Sequence, residues 1–170
     1  MVPIFVIAVY LKWKYGNILA LVVFILASVT DGVDGYLARK YNQVTSFGTF
    51  IDPIADKLLV VSAIILFVQR GQIPAWVAII IIAREFLVSA LRLIAVEGGK
   101  VIAAAMSGKV KTCVSIIAIC FMLTKFKDIV IIKGFLTVNG LAVALMLITT
   151  VWSGVEYFVK NREVLDMKHI

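Results

Sequence analysis

The sequence predicts an all-α integral membrane protein, a bundle of six transmembrane helices with a polar site that faces the cytoplasm. The 170 residues are 62% hydrophobic and only 16% charged, with a mean hydropathy of +1.06. Soluble domains are about one-quarter charged, so a soluble globular protein is excluded. Six helices of about 20 residues fit a chain of this length. The length also favours a single domain over residues 1–170.

Six apolar segments are separated by short connectors rich in Gly and Lys, which are typical of helix ends. The first segment is short, so a short first helix is expected. The sixth is a plain membrane anchor, because Gly134 to Val155 carries no charge over 22 residues. Charged residues interrupt the second, third and fourth segments, and such charges need a partner or a ligand. The segments cover 2–13, 17–40, 50–70, 73–96, 108–125 and 134–160.

The charge balance is basic, with 17 Lys and Arg against 10 Asp and Glu, a formal net charge of +7. The basic residues cluster near segment ends, where anionic lipid head groups favour them. Membrane lipids, and not nucleic acid, are therefore the expected partners of this charge. Eight Lys and Arg residues at segment ends lie on the same side of the membrane as the connector 41–49, and six lie on the opposite side. This excess places the connector on the cytoplasmic side.

Two pairs of carboxylates lie within apolar segments. On a helix, Asp31 and Asp34 would be about 60° apart, and Asp52 and Asp56 about 40° apart. Gly35 leaves the face of the first pair free of bulk. The short connector between the two helices makes them antiparallel neighbours, which lets the two pairs face each other.

Four converging carboxylates repel one another, and hard divalent cations relieve that repulsion. The absence of His and Cys nearby favours Mg²⁺ or Mn²⁺, with two ions clamping a displacement at phosphorus. The alternative is that these Asp residues are helix caps or turn residues. A cation path in a transporter is a further alternative, although the sequence shows no inverted repeat.

The spacing of these residues carries a resemblance to a known family. The segment reads Asp31-x2-Asp34-Gly35-x2-Ala38-Arg39-x8-Gly48-x3-Asp52-x3-Asp56. This arrangement resembles the signature of the CDP-alcohol phosphotransferases, with every fixed position filled. The resemblance implies a six-helix, homodimeric enzyme of the bacterial cytoplasmic membrane. Such enzymes transfer a phosphatidyl or related group from a CDP-linked donor to an alcohol and release CMP.

The resemblance also implies roles for individual residues. The metal ligands would be Asp31, Asp34, Asp52 and Asp56, and Asp56 would also be the general base. The contacts to the CDP moiety would come from Gly35, Arg39, Thr45 and Gly48. A guanidinium such as that of Arg39 suits a diphosphate.

Two stretches, Ala83 to Glu85 and Gly108 to Thr112, resemble the branch of the family that uses CDP-diacylglycerol and glycerol 3-phosphate. Other acceptors (inositol, inositol phosphate, serine or phosphatidylglycerol) and a non-catalytic member are the alternatives. Arg84 and Glu85 lie about 100° apart on a helix, so we expect Glu85 to pair with a neighbouring helix instead. The candidate cations for the acceptor phosphate are Arg84, Arg92, Lys109 and Lys111. The alternative for Arg84 and Arg92 is a structural ion pair, and that for Lys109 and Lys111 is a membrane flank.

Overall fold

A computed structural model describes most of the chain. The backbone is described over residues 2–10, 16–40, 46–97, 105–124, 130–132 and 136–162. Side chains are described over residues 2–10, 16–30, 57–95, 105–124 and 137–162.

Six helices make up most of the described chain, as the segment pattern predicts, and the first is short. The last helix, α6, packs against both α4 and α5, while α1 packs against α2 and α3. The helix α6 therefore draws α4 and α5 towards a common interior. The helices are α1 (Val2–Tyr10), α2 (Gly16–Lys40), α3 (Ser46–Gln69), α4 (Ala75–Glu97), α5 (Met106–Leu123) and α6 (Val138–Lys160).

The described fold is helical as predicted, and the connector between α5 and α6 adds a short strand pair that the sequence does not predict. Strand β1 (Val130–Ile132) pairs antiparallel with β2 (Leu136–Thr137). The Val-Ile-Ile sequence of β1 is β-branched throughout, which favours extended backbone. At the last residue of β2, the Thr137 hydroxyl accepts a hydrogen bond from the Gly140 N–H and caps the start of α6.

The bundle is apolar on its outside as well as in its core. The rings of Phe5 and Phe24 lie 5.7 Å apart in a core that α1 and α2 share with the later helices. Large side chains such as Ile79 and Ile148 nevertheless stay exposed, at 66% and 62%. Among the described side chains, five polar or charged ones are buried instead, namely Ser107, Lys111, Ser115, Thr150 and Ser153. An apolar exterior around a partly polar interior suits lipid surroundings.

Two of the described helices are long and apolar enough to cross a membrane, namely Met106–Leu123 and Val138–Lys160. Shorter apolar stretches, Gly16–Thr30 and Lys57–Gln69, lie within α2 and α3. Two possible spans agree with a membrane protein, while the expectation of six spans stays a prediction.

A hydrogen-bonded clasp joins several helix ends around the turn between α3 and α4. Arg70 Nη2 donates to the Val9 carbonyl at the end of α1 (2.6 Å), and Nη1 donates to Asn17 Oδ1 in α2 (3.2 Å). The turn itself contains Gly71 at φ 68°, a conformation that glycine adopts without strain. Nearby, Asn139 Nδ2 in α6 donates to the Gln72 carbonyl (2.8 Å).

We expect Arg70→Ala to lower the free energy of unfolding by about 1–2 kcal/mol, because it leaves a helix-end carbonyl without its charged donor. The midpoint of thermal unfolding in detergent would measure this loss. Arg162→Ala, at an exposed residue just after α6, is the matched control. Equal midpoints for the two variants would show that the clasp does not stabilise the bundle.

Candidate active site

A cavity of about 850 Å³ lies between the helices, and all six helices contribute to its wall, α1 through Val2 alone. Its lining combines apolar side chains with a concentration of basic and hydroxyl groups. All four cations predicted to bind the acceptor phosphate line it, namely Arg84, Arg92, Lys109 and Lys111. The structure thus brings together four residues that are spread over 28 positions of the chain.

Three of the charges at this cavity form one buried cluster. Arg84 Nη1 donates to Glu85 Oε1 at 3.1 Å, and Lys111 Nζ donates to the same oxygen. The side chains of Arg84 and Glu85 are 13% exposed, and that of Lys111 is 4% exposed. Two cations and one carboxylate leave this cluster with a net charge of +1, and the other charged residues of the cavity lining are also basic.

One prediction about this cluster is confirmed and another is wrong. Glu85 does pair with a cation on a neighbouring helix, since Lys111 belongs to α5. The expectation that Arg84 and Glu85 cannot pair is wrong. Their Cα–Cβ bonds do diverge around α4, but both side chains are long enough to bend back towards each other. A buried site favours this contact, because water does not compete for the charges.

Helix α6 contributes a glycine, which has no side chain, to the same site. Gly154 lies against the stem of Arg84, and a Cβ added at Gly154 would come within 3.2 Å of Arg84 Cγ. This distance is tighter than an ordinary van der Waals contact. The Arg84 side chain can therefore adopt this position because residue 154 has no Cβ.

The two lysines of α5 lie in different environments. Lys111 is buried in the cluster, whereas Lys109 is exposed at the cavity margin. Two residues change the direction of a helical side chain by about 200°, so one lysine points inward and the other outward. The reading of both lysines as membrane flanks therefore does not apply to Lys111.

The signature residues occupy the ends of α2 and α3 that adjoin the 41–45 connector. Asp31, Asp34, Gly35 and Arg39 lie on α2, and Gly48, Asp52 and Asp56 lie on α3. Their side chains, and all of Thr45, lie outside the described residues. The adjacent residues Thr30 and Lys57 line the cavity, which therefore abuts both carboxylate segments.

Sequence reasoning missed three buried hydroxyl groups of this cavity. Ser107, Ser115 and Tyr157 are buried at its wall. A signal was available on α5, because Ser107, Lys111 and Ser115 recur every four residues and so lie on one face of the helix. Among the side chains described, no group of three or more His, Cys, Asp or Glu residues could hold a metal.

Comparison with known proteins agrees with the signature. A family model described as CDP-alcohol phosphatidyltransferase matches residues 1–152. A CDP-diacylglycerol–glycerol-3-phosphate 3-phosphatidyltransferase of Bacillus subtilis (strain 168) is 42% identical over 177 residues, covering 97% of this chain and 91% of the relative. A protein of the same name from Haemophilus influenzae is 40% identical, covering 98% and 90%.

A more divergent relative supports the same assignment. A probable phosphatidylglycerophosphate synthase of Mycobacterium tuberculosis is 38% identical over 161 residues, covering 92% of this chain and 74% of the relative. The resemblance seen in the Asp-rich signature is thereby confirmed over nearly the whole chain. The chain belongs to the CDP-alcohol phosphatidyltransferase family, whose enzymes generally use divalent metals.

Proposed function

We propose that this chain transfers a phosphatidyl group from CDP-diacylglycerol to glycerol 3-phosphate, giving phosphatidylglycerophosphate and CMP. The single observation that carries the choice of acceptor is the basic cavity beside the signature segments. A dianionic phosphate fits a wall with net positive charge better than a neutral polyol does. The names of the relatives, which specify the same donor and acceptor, support this choice.

In this proposal Asp31, Asp34, Asp52 and Asp56 hold Mg²⁺ or Mn²⁺, in a site for two ions. The chemistry of the donor set fits, because four carboxylates without His or Cys prefer hard divalent cations. Bound at this site, the metal would neutralise phosphate charge. The CDP moiety would be held by Gly35, Arg39, Thr45 and Gly48.

Asp56 acts as the general base that takes the proton from the attacking hydroxyl of the acceptor. That hydroxyl attacks the phosphorus bearing the lipid, and CMP leaves with the electron pair of the broken bond. Lys57, the residue that follows Asp56 in α3, lines the cavity, which supports a base at this position of the chain.

The acceptor phosphate would bind at the cavity wall formed by Arg84 and Lys111, with Arg92 and Lys109 nearer the margin. Arg84 can offer its remaining guanidinium N–H groups, since only Nη1 contacts Glu85 among the described residues. A planar guanidinium matches the spacing of phosphate oxygens. Glu85 keeps the two buried cations together while the cavity is empty of anion.

The protein would cross the cytoplasmic membrane of a bacterium several times, with its site on the cytoplasmic side. The slight excess of Lys and Arg on the side of the 41–49 connector supports this orientation. The apolar exterior of the bundle supports the membrane location.

The test is CMP release by the purified protein from CDP-diacylglycerol and Mg²⁺, with glycerol 3-phosphate, inositol phosphate or serine supplied separately. Release only with glycerol 3-phosphate, and loss of release when the metal is chelated, is the expected result. Release with a different acceptor would keep the family reaction but refute the assigned acceptor. No release with any acceptor would refute the proposed activity.

We expect Gly154→Ala to raise the KM for glycerol 3-phosphate about 10-fold, because the new methyl group displaces the stem of Arg84. Gly140→Ala is the matched control, because Gly140 lies on the same helix as Gly154. Its added Cβ would lie 3.4 Å from Thr137 Oγ1, which is an ordinary contact. The KM for CDP-diacylglycerol should stay unchanged in both. Equal KM values for glycerol 3-phosphate in the two variants would remove Arg84 from the acceptor site.

A further inference from the structure

Three buried hydroxyl groups at the cavity wall, those of Ser107, Ser115 and Tyr157, have no geometric hydrogen bond to a described residue. The hydroxyl of Ser107 does interact with the Glu156 carboxylate. The candidates are therefore Ser115 Oγ on α5 and the Tyr157 hydroxyl on α6, in residues that are 1% and 3% exposed. A buried polar group without a partner costs about 1–3 kcal/mol. Such a cost at a cavity indicates that a ligand supplies the missing partner.

Other hydroxyl groups along the same wall are already satisfied. Ser89 Oγ donates to the Glu85 carbonyl at 2.7 Å, and Thr112 Oγ1 donates to the Gly108 carbonyl at 3.0 Å. Both bonds are local contacts one turn back along the same helix. The lack of a hydrogen bond among the described residues therefore distinguishes Ser115 from Ser89 and Thr112.

The position of Ser115 relates it to the charged cluster. It follows Lys111 by one helical turn, about 6 Å along α5, and both residues are buried on the face that lines the cavity. Lys111 in turn contacts Glu85. A small molecule whose phosphate binds at the cluster would therefore extend past Ser115.

We propose that Ser115 is a specificity-determining residue that hydrogen-bonds the carbon-2 hydroxyl of glycerol 3-phosphate. This inference rests on the proposed function. The acceptor has three polar groups: the phosphate on carbon 3, the attacking hydroxyl on carbon 1 and the hydroxyl on carbon 2. The cations take the first and the base takes the second, so the third needs a partner inside the cavity.

Tyr157 is the less favourable partner for this hydroxyl. Its ring packs with Val88, Leu91 and Ala95 in an apolar cluster apart from the main core. It lies on α6 and not on the α5 face that carries Lys111. Ser115 shares that face, so one helix presents both the cation and the hydroxyl to one small ligand.

The experiment compares two acceptors, glycerol 3-phosphate and 3-hydroxypropyl phosphate, which lacks only the carbon-2 hydroxyl. For the wild type, kcat/KM should favour glycerol 3-phosphate by on the order of 10- to 100-fold. In Ser115→Ala this preference should fall to about 3-fold or less, mainly through loss of activity on glycerol 3-phosphate. Ser89→Ala, the same substitution at a satisfied hydroxyl of the same wall, should keep the wild-type preference.

Equal use of the two acceptors by the wild type would overturn the inference, whatever the variants do. An undiminished preference in Ser115→Ala, or its loss in Tyr157→Phe instead, would also overturn it. Ser115→Cys, which preserves volume but bonds weakly, serves as a second variant and should behave as Ser115→Ala does. Failure of the proposed function is distinguishable, because the wild type would then release no CMP with either acceptor.

Discussion

Asp56→Asn is expected to reduce CMP release with glycerol 3-phosphate by about 10³-fold, because an amide cannot accept the proton of the attacking hydroxyl. The substitution also removes one of the four carboxylates assigned to the metal. Both effects lower kcat, while the charge cluster that binds the acceptor phosphate is left intact. Steady-state CMP release at saturating donor and acceptor measures the loss.

Asp128→Asn is the matched control for this variant, since Asp128 lies between the fifth and sixth apolar segments, outside the signature. It should retain wild-type turnover. A tenfold or smaller loss in Asp56→Asn would contradict the assignment of Asp56 as the base. Loss of turnover with unchanged thermal unfolding would support a chemical role, and not a structural one.

Glu85→Gln is expected to destabilise the protein by about 3 kcal/mol, since it leaves the buried cations Arg84 and Lys111 without their counter-charge. Thermal unfolding in detergent measures this effect. The same variant should also have a higher KM for glycerol 3-phosphate, because the two cations repel each other and move apart. The KM for CDP-diacylglycerol should change little.

Two further variants test the physical reason. Glu156→Gln removes a carboxylate whose pair with Lys160 is at the surface, and its unfolding midpoint should stay close to the wild-type value. The double variant Glu85→Gln with Lys111→Met removes a cation together with the carboxylate, and should recover much of the lost stability. Equal midpoints for the single and double variants would show that charge imbalance is not the cause.

The architecture was largely predictable because hydropathy along the chain is a local signal. Six apolar segments became six helices, and their ends moved by only a few residues. The pairing of β1 (Val130–Ile132) with β2 was not predicted, because three β-branched residues between two long apolar segments look like part of a connector. Such a short strand forms only when a second segment is in place to pair with it.

Within the site, the candidate cations were predictable and their arrangement was not. The sequence singles out Arg84 and Lys111 because charges inside apolar segments need partners. The prediction that Arg84 and Glu85 do not pair is wrong, because the angular separation of two residues on a helix describes their Cβ positions and not the reach of two long side chains. The sequence predicted no role for the hydroxyl of Ser115, since a serine in an apolar helix is also a common packing residue.

The sequence by itself determined the family, through the fixed spacing of its Asp, Gly and Arg residues, and the number and order of the helices. Spacing and hydropathy are properties of one segment at a time. Only the tertiary structure decided that Lys111 is buried while Lys109 is exposed, and that Gly154 accommodates Arg84. It also decided that Ser115 lines the cavity without a hydrogen-bond partner among the residues that the structure describes. These outcomes depend on which helix packs against which face of its neighbours. Helix α6 packs against both α4 and α5, and it carries no charge over most of its length.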